Sequence, residues 1–185
     1  MFRAIEKSGM RVHGACFALA VFAAASSAYA AQRPIQSLLE YRQANVVIQR
    51  WDNSCGAAAL ATVLAYGHQF AVTEEEVARG MLRRTDPLKV RHRGGFSLLD
   101  MKRYASTLGF DADGYSELSL DELATMSWAI VPIRSRGYNH FVVVREIAAG
   151  EVHIADPGFG NYSLPVSRFL AAWQGQVGFL VGEKR

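Results

Sequence analysis

The sequence predicts an α+β domain: a helical N-terminal half packed on a C-terminal antiparallel sheet, with a cleft between the two. Three observations carry that expectation. Up to about residue 126, apolar residues recur at helical spacing, and the pairs Thr73/Glu76, Ser97/Asp100 and Ser119/Glu122 mark helix starts. From Trp128 onward the runs become short and rich in Val and Ile, as strands require. Ala149-Gly150 then separates two such runs as a tight turn, which sets the strands on either side antiparallel. Helices followed by strands, without alternation, is the order of an α+β fold, and ligand clefts form where the two halves meet.

Taken in chain order, residues 1–30 stand apart from the domain. Arg3, Lys7 and Arg11 make a basic start, residues 14–25 are an apolar run of 12, and Ala28-Tyr29-Ala30 supplies a small-x-small pattern. The apolar run is too short to span a bilayer, so the layout is that of a secretory signal peptide cleaved between Ala30 and Ala31. Residues 31–46 follow as a lead-in, with a short helix over 36–44 and extended chain at 46–48. Residues 55–66, CGAAALATVLAY, carry no charge and predict a buried helix stopped by Gly67. The Thr73 pair opens a helix to about Arg83, after which Asp86-Pro87 and residues 91–95 read as a basic, glycine-containing loop. Leu98, Met101, Ala105 and Leu108 give the next helix its apolar face before Gly109 stops it, and the Ser119 pair starts a short helix to about Met126. Strands are expected at 128–133, 141–147, 151–155, 161–165 and 177–181, with a short helix at 166–173. Residues 47–185 contain no repeat or linker and are expected to form one domain.

The whole chain carries 20 basic and 17 acidic side chains in 185 residues. Removing residues 1–30 takes away Arg3, Lys7, Arg11 and Glu6, which leaves 17 and 16, a net charge of +1. Phosphate binding needs several clustered Lys or Arg, so nucleic acid is not an expected partner. No later apolar stretch reaches about 18 residues, so no stable membrane span is expected after cleavage. The domain is expected to be periplasmic or secreted. Cys16 lies in the signal segment, so of two cysteines only Cys55 remains and no disulfide forms within the processed chain. A lone thiol in an oxidising compartment invites oxidation. It either fills space as a small hydrophobe or does chemistry.

Its position favours chemistry. Cys55 opens the buried helix, where unpaired N–H groups and the helix dipole stabilise a thiolate. Gly56 lets the backbone pass close to whatever the sulfur attacks, and equally suits a tight helix start. A thiolate nucleophile needs a base, commonly His, oriented by a carboxylate. His140 begins the strand FVVV and Asp156 ends the next one. With the turn at Ala149-Gly150, paired positions sum to about 298–300, so the partner of His140 falls near 158–160 and Asp156 lies within a few residues of it. Gln49, six residues before Cys55, offers an amide N–H that joins the Cys55 backbone N–H in stabilising an oxyanion. His153 is expected to face outward, His68 to sit at a helix end and His92 to be solvated. No CxxC or HExxH spacing occurs, so no metal and no cofactor are expected.

The blocks Gln49-x-x-x-x-Ser54-Cys55-Gly56-x-Ala58, Asn139-His140-Phe141-Val142-Val143 and Asp156-Pro157-x-x-Gly160 resemble the C39 family of papain-like cysteine peptidases. Gly95-Phe96-Ser97 through Leu108-Gly109-Phe110, and Phe169-x-x-x-Trp173-x-Gly175, are similar to that family too, so the resemblance covers residues 47–181. It implies a papain-like fold, with Cys55 as nucleophile, His140 as general base, Asp156 as orienting acid and Gln49 in the oxyanion hole. One position departs: many members have Asp before the cysteine, whereas this chain has Ser54, with Asp52 three residues before Cys55. Familiar members are cytoplasmic domains of bacteriocin-exporting transporters that cut leaders after a double glycine. With a signal peptide and no transporter segment in these residues, the chain is similar instead to the stand-alone periplasmic branch, some of whose members accompany secretion systems for functional amyloid. The resemblance thus implies a peptide or exported protein precursor as substrate, and outer-membrane secretion or amyloid components as partners, without implying double-glycine specificity.

Two other readings stay open at this level. An NlpC/P60-type cell-wall amidase is also papain-like, although it usually shows Asp-Cys-Ser where this chain has Ser54-Cys55-Gly56. A non-catalytic peptide-binding module would have no physical need for all four site residues. The basic stretch 83–93, with five Lys or Arg plus His92, is either a contact for an acidic substrate segment or a solvated face.

Overall fold

The computed structural model describes residues 37–184. The expected signal segment and its cleavage point lie outside them. Helix α1 (Leu38–Gln43) opens with a reciprocal Ser37/Glu40 capping box. Helix α2 (Cys55–Thr62) widens over Val63–Gly67 into a looser turn, closed by a bond from His68 N–H to the Val63 carbonyl at 3.1 Å. Every residue from Gly56 to Thr62 is buried, as the uncharged sequence requires of a helix enclosed on all sides. Helices α3 (Glu74–Leu82), α5 (Leu98–Thr107) and α6 (Leu120–Thr125) each begin at the expected capping box.

Between α3 and α5 the structure corrects the sequence reading. Residues 87–93 are not a loop but helix α4 (Pro87–Arg93). Asp86 accepts a hydrogen bond from the Leu88 N–H, Pro87 takes the first helical position, where no N–H is needed, and Gly94 ends the turn at φ 78°. The residues read as loop punctuation are the two ends of a seven-residue helix.

The sheet has six strands: β1 (Phe110–Tyr115), β2 (Ala129–Ser135), β3 (Tyr138–Ala148), β4 (Glu151–Asp156), β5 (Gly160–Pro165) and β6 (Gly178–Lys184). Their spatial order is β1-β6-β2-β3-β4-β5 and every neighbouring pair is antiparallel. Helix α7 (Val166–Ala172) connects β5 to β6. Strand β1 was not expected. In its sequence FDADGY only Phe110 and Ala112 point into the core. It forms because β6, far along the chain, offers its edge.

Alternation along β3 divides the interior into two layers. Val143 faces α2, α3 and α5, packing with Leu60, Leu64, Val77 and Met101. Val142 and Val144 face the opposite side with Ile133, Ile154, Leu123 and Phe169. Among the described residues no helix is long and apolar enough to cross a membrane.

Gly80 brings α3 against α5: a Cβ there would lie 2.0 Å from the Tyr104 ring. Alanine is about 1 kcal/mol better than glycine in a helix interior, whereas overpacking costs about 1–3 kcal/mol. Because an aromatic ring cannot yield as a flexible chain end does, packing wins. Gly80→Ala is expected to lower stability by about 1–2 kcal/mol, read as a lower urea midpoint at unchanged m-value.

Candidate active site

Cys55 is the first residue of α2, half-buried and free. Ser54 stands at the capping position, yet its side chain does not cap the helix. Its Oγ lies instead 2.5 Å from Glu74 Oε1 and 2.6 Å from the Trp51 carbonyl. The first N–H groups of α2 therefore have no side-chain acceptor from the capping position. Glu74, only 4% exposed, also accepts the Arg50 N–H, at 3.0 and 3.2 Å to its two oxygens. One carboxylate from the start of α3 thus holds both ends of the 50–54 turn. Gly56 also has a packing reason: a Cβ there would meet Met101 at 2.7 Å and Phe96 at 3.4 Å. Its smallness serves the packing of α2 on α5.

Glu74→Gln should be costly in proportion to these bonds. An amide keeps one acceptor and turns a second donor toward either the Arg50 N–H or the Ser54 hydroxyl. Hydrogen bonds to buried charged groups contribute about 1.5–3 kcal/mol. A loss of that size is expected in the free energy of urea unfolding, and a cost below about 0.5 kcal/mol would show that Glu74 does not hold the turn.

His140 and Asp156 come together through the β3–β4 hairpin. The observed register pairs Val143 with Ala155 and Val144 with Ile154, while the pairs beyond a bulge at Val144/Glu146 are offset by one. The paired positions sum to 298 or 299, within the expected range. His140 Nε2 and Asp156 Oδ1 are 2.7 Å apart. The Cys55 side chain lies close enough to the same imidazole to favour its charged form. Asp156 is fully buried and gathers further donors: the N–H groups of Gly158 at 2.7 Å and Phe159 at 3.2 Å on Oδ1, and the Tyr162 hydroxyl at 3.0 Å on Oδ2. Burial pulls the His140 pKa down, but the bonds and charges of Asp156 and Cys55 outweigh it and raise the imidazole to about 9. Burial, with the charge of Asp156, raises the Tyr162 hydroxyl well above its ordinary value, so it remains a donor.

Gln49 joins the site by its backbone, its N–H donating to the Pro157 carbonyl at 2.8 Å. Its side-chain Nε2 donates to the Trp51 carbonyl at 3.2 Å, which uses one of two amide hydrogens, and Oε1 is buried without a partner. Helix α1 clamps the acid loop: Asn161 Nδ2 donates to the Ala44 carbonyl at 2.7 Å, and a Cβ on Gly160 (φ 78°) would lie 2.5 Å from the Arg42 carbonyl oxygen.

The remaining histidines lie elsewhere. His153 Nδ1 is 2.9 Å from Ser163 Oγ, and His92 is exposed in the last turn of α4. His68 caps the end of the Val63–Gly67 turn, as expected, and its ring bonds the Val181 carbonyl on β6 at 3.0 Å. Sequence reasoning missed Glu74 and Tyr162. The second had a signal, since Tyr162 pairs with Ile154 and so shares a face with Asp156 two residues on.

Residues 43–184 match the model of the peptidase C39 family. The chain belongs to that family. Two curated relatives are named probable functional amyloid protease FapD. The one from Pseudomonas fluorescens is 44% identical over 152 residues and the one from Pseudomonas aeruginosa 40% over 153, each match covering 82% of this chain. The chain spans 66% of the length of each. Among solved structures, a double-glycine-motif protease from an AMS/PCAT transporter, crystallised with its leader peptide, aligns with a TM-score of 0.60 at 27% identity, covering 74% of this chain and 89% of that one. The C39 domain here is α+β with an antiparallel sheet, as its sequence predicts. Ser54, just before the cysteine, is hydrogen-bonded to the carboxylate of Glu74.

Proposed function

We propose that the protein is a cysteine endopeptidase of an export pathway, acting on a peptide or exported precursor. The observation that carries this reading is the chain of contacts from Cys55 at the start of α2 through His140 to buried Asp156. Cys55 Sγ attacks the peptide carbonyl carbon as a thiolate. The resulting oxyanion is met by the Cys55 backbone N–H and by the second Nε2 hydrogen of Gln49. As the C–N bond breaks, His140 gives its proton to the leaving amine. Water, deprotonated by the now neutral His140, attacks the thioester, releases the acyl part as a carboxylic acid and returns the thiol. Asp156 holds the ring in place throughout and stabilises its charged form.

The relatives named functional amyloid proteases support a substrate or partner within an amyloid-exporting system. A signal peptide over residues 1–30 would place the domain in the periplasm or outside the cell. The test is a comparison of exported protein N-termini in cells making the native chain or Cys55→Ala. An uncut precursor accumulating with the variant supports the reading, and identical N-termini in both overturn it.

A further inference from the structure

The basic stretch 83–93 is not an open cationic surface throughout: Arg93 pairs with Asp100 at 2.7 Å, and Arg84 donates to the Gly80 carbonyl at 3.1 Å. A different set of cations gathers on the sheet face that carries α7. Arg42 from α1, Arg134 from β2, Arg136 from the turn after it and Arg168 from α7 line a groove of about 640 Å³. Ile133, Leu164 and the Phe159 ring give it an apolar side.

All four arginines are exposed, and no acidic side chain lines the groove. Among the described residues none of the four forms an ion pair. Two of them are already held. Arg42 Nη2 donates to the Phe159 carbonyl at 3.2 Å, and the Arg136 guanidinium lies 4.8 Å from the centroid of the Phe159 ring. Cations gathered without partners repel one another, and a ligand that brings carboxylates to a partly ordered rim relieves that repulsion at reduced entropic cost.

The groove also reaches the candidate site. Phe159 lies three residues beyond Asp156, and Tyr162, which lines the groove, donates its hydroxyl to Asp156. We propose that this groove binds an acidic segment of the substrate polypeptide, with apolar side chains set among its carboxylates, away from the bond that is cut. The apolar side is what favours a peptide over a phosphate backbone, which would leave those residues uncovered. Calling the ligand a substrate rests on the peptidase reading above.

The experiment uses the full chain carrying Cys55→Ala, so that nothing is cut. Its probes are a short fluorescein-labelled peptide alternating Glu and Leu, the same peptide with Gln for Glu, and a single-stranded DNA of similar charge, all read by anisotropy. The Glu peptide is expected to bind about tenfold more tightly than the Gln peptide at low salt, with the difference shrinking as salt screens the charges. Arg134→Ser/Arg168→Ser, at two exposed side chains with no hydrogen bond to lose, is expected to weaken Glu-peptide binding about tenfold, the size of two exposed charge pairs. Equal binding of the Glu and Gln peptides, no effect of the double substitution, or tighter binding of the DNA than of the Glu peptide each overturn the proposal. The two readings fail separately. Arginine-dependent binding beside unaltered precursor processing in Cys55→Ala cells removes the peptidase alone, and Cys55-dependent processing without glutamate preference removes the groove alone.

Discussion

Cys55→Ala is expected to leave a folded protein that cleaves nothing. Alanine deletes one atom from a half-buried position at the start of α2, and alanine is the best helix former, so the unfolding midpoint should move little. The chemistry, by contrast, loses the group proposed to form the acyl intermediate. Loss of a nucleophile from such a triad lowers turnover by about 10⁴-fold or more. The measurement pairs cleavage of the accumulated precursor with a urea unfolding curve on the same preparation. Activity within tenfold of the native chain would show that another group attacks the carbonyl. Lost activity with a collapsed midpoint would show only that Cys55 is a packing residue.

The parts of this site that were legible in the sequence are those fixed by local pattern. Capping pairs at Thr73, Ser97 and Ser119 act within one helical turn, and the Ala149-Gly150 turn sets a register that carries His140 to Asp156. What was not legible depends on distant chain. Glu74 looks no different in sequence from Glu75 and Glu76, and only the packing of α3 on the 50–54 turn, some 20 residues earlier, turns it inward while Glu75 pairs with Arg79 in solvent. Strand β1 has only two inward side chains and exists because β6 supplies its partner. The arginine groove draws on α1, β2 and α7, segments that sequence spacing does not relate. Helix α4 is the exception, since its signals were local and complete: Asp86, Pro87 and Gly94 can bound either a loop or a short helix, and the deciding factor was the burial of Val90 between them.

The second large effect concerns Asp156, and it is separable from folding by its pH dependence. In the native chain the His140 imidazolium persists to about pH 9. Its folded value lies above the ordinary 6.5, so the stability its charge contributes is fully present below pH 6.5 and is lost as pH rises through about 9. In the proposed mechanism the leaving amine takes its proton from that imidazolium, so kcat/KM should fall on the alkaline side near pH 9. Asp156→Asn removes both the charge and a hydrogen bond that favour the charged ring. Burial, the largest single influence on His140, then opposes only Cys55, and the alkaline fall should move by about 1–3 pH units toward acid. At pH 7.5 kcat/KM should drop by about 10²–10⁴-fold, the range of general acid–base contributions. An amide has a single acceptor oxygen: placed on His140, Gly158 and Phe159 it turns its NH2 toward the Tyr162 hydroxyl, and placed on Tyr162 it turns its NH2 toward the other three donors and releases His140 from its original tautomer. A uniform loss of rate with the alkaline fall still at pH 9 would mean that Asp156 supports only the loop. Movement of that fall is what a role acting through His140 requires.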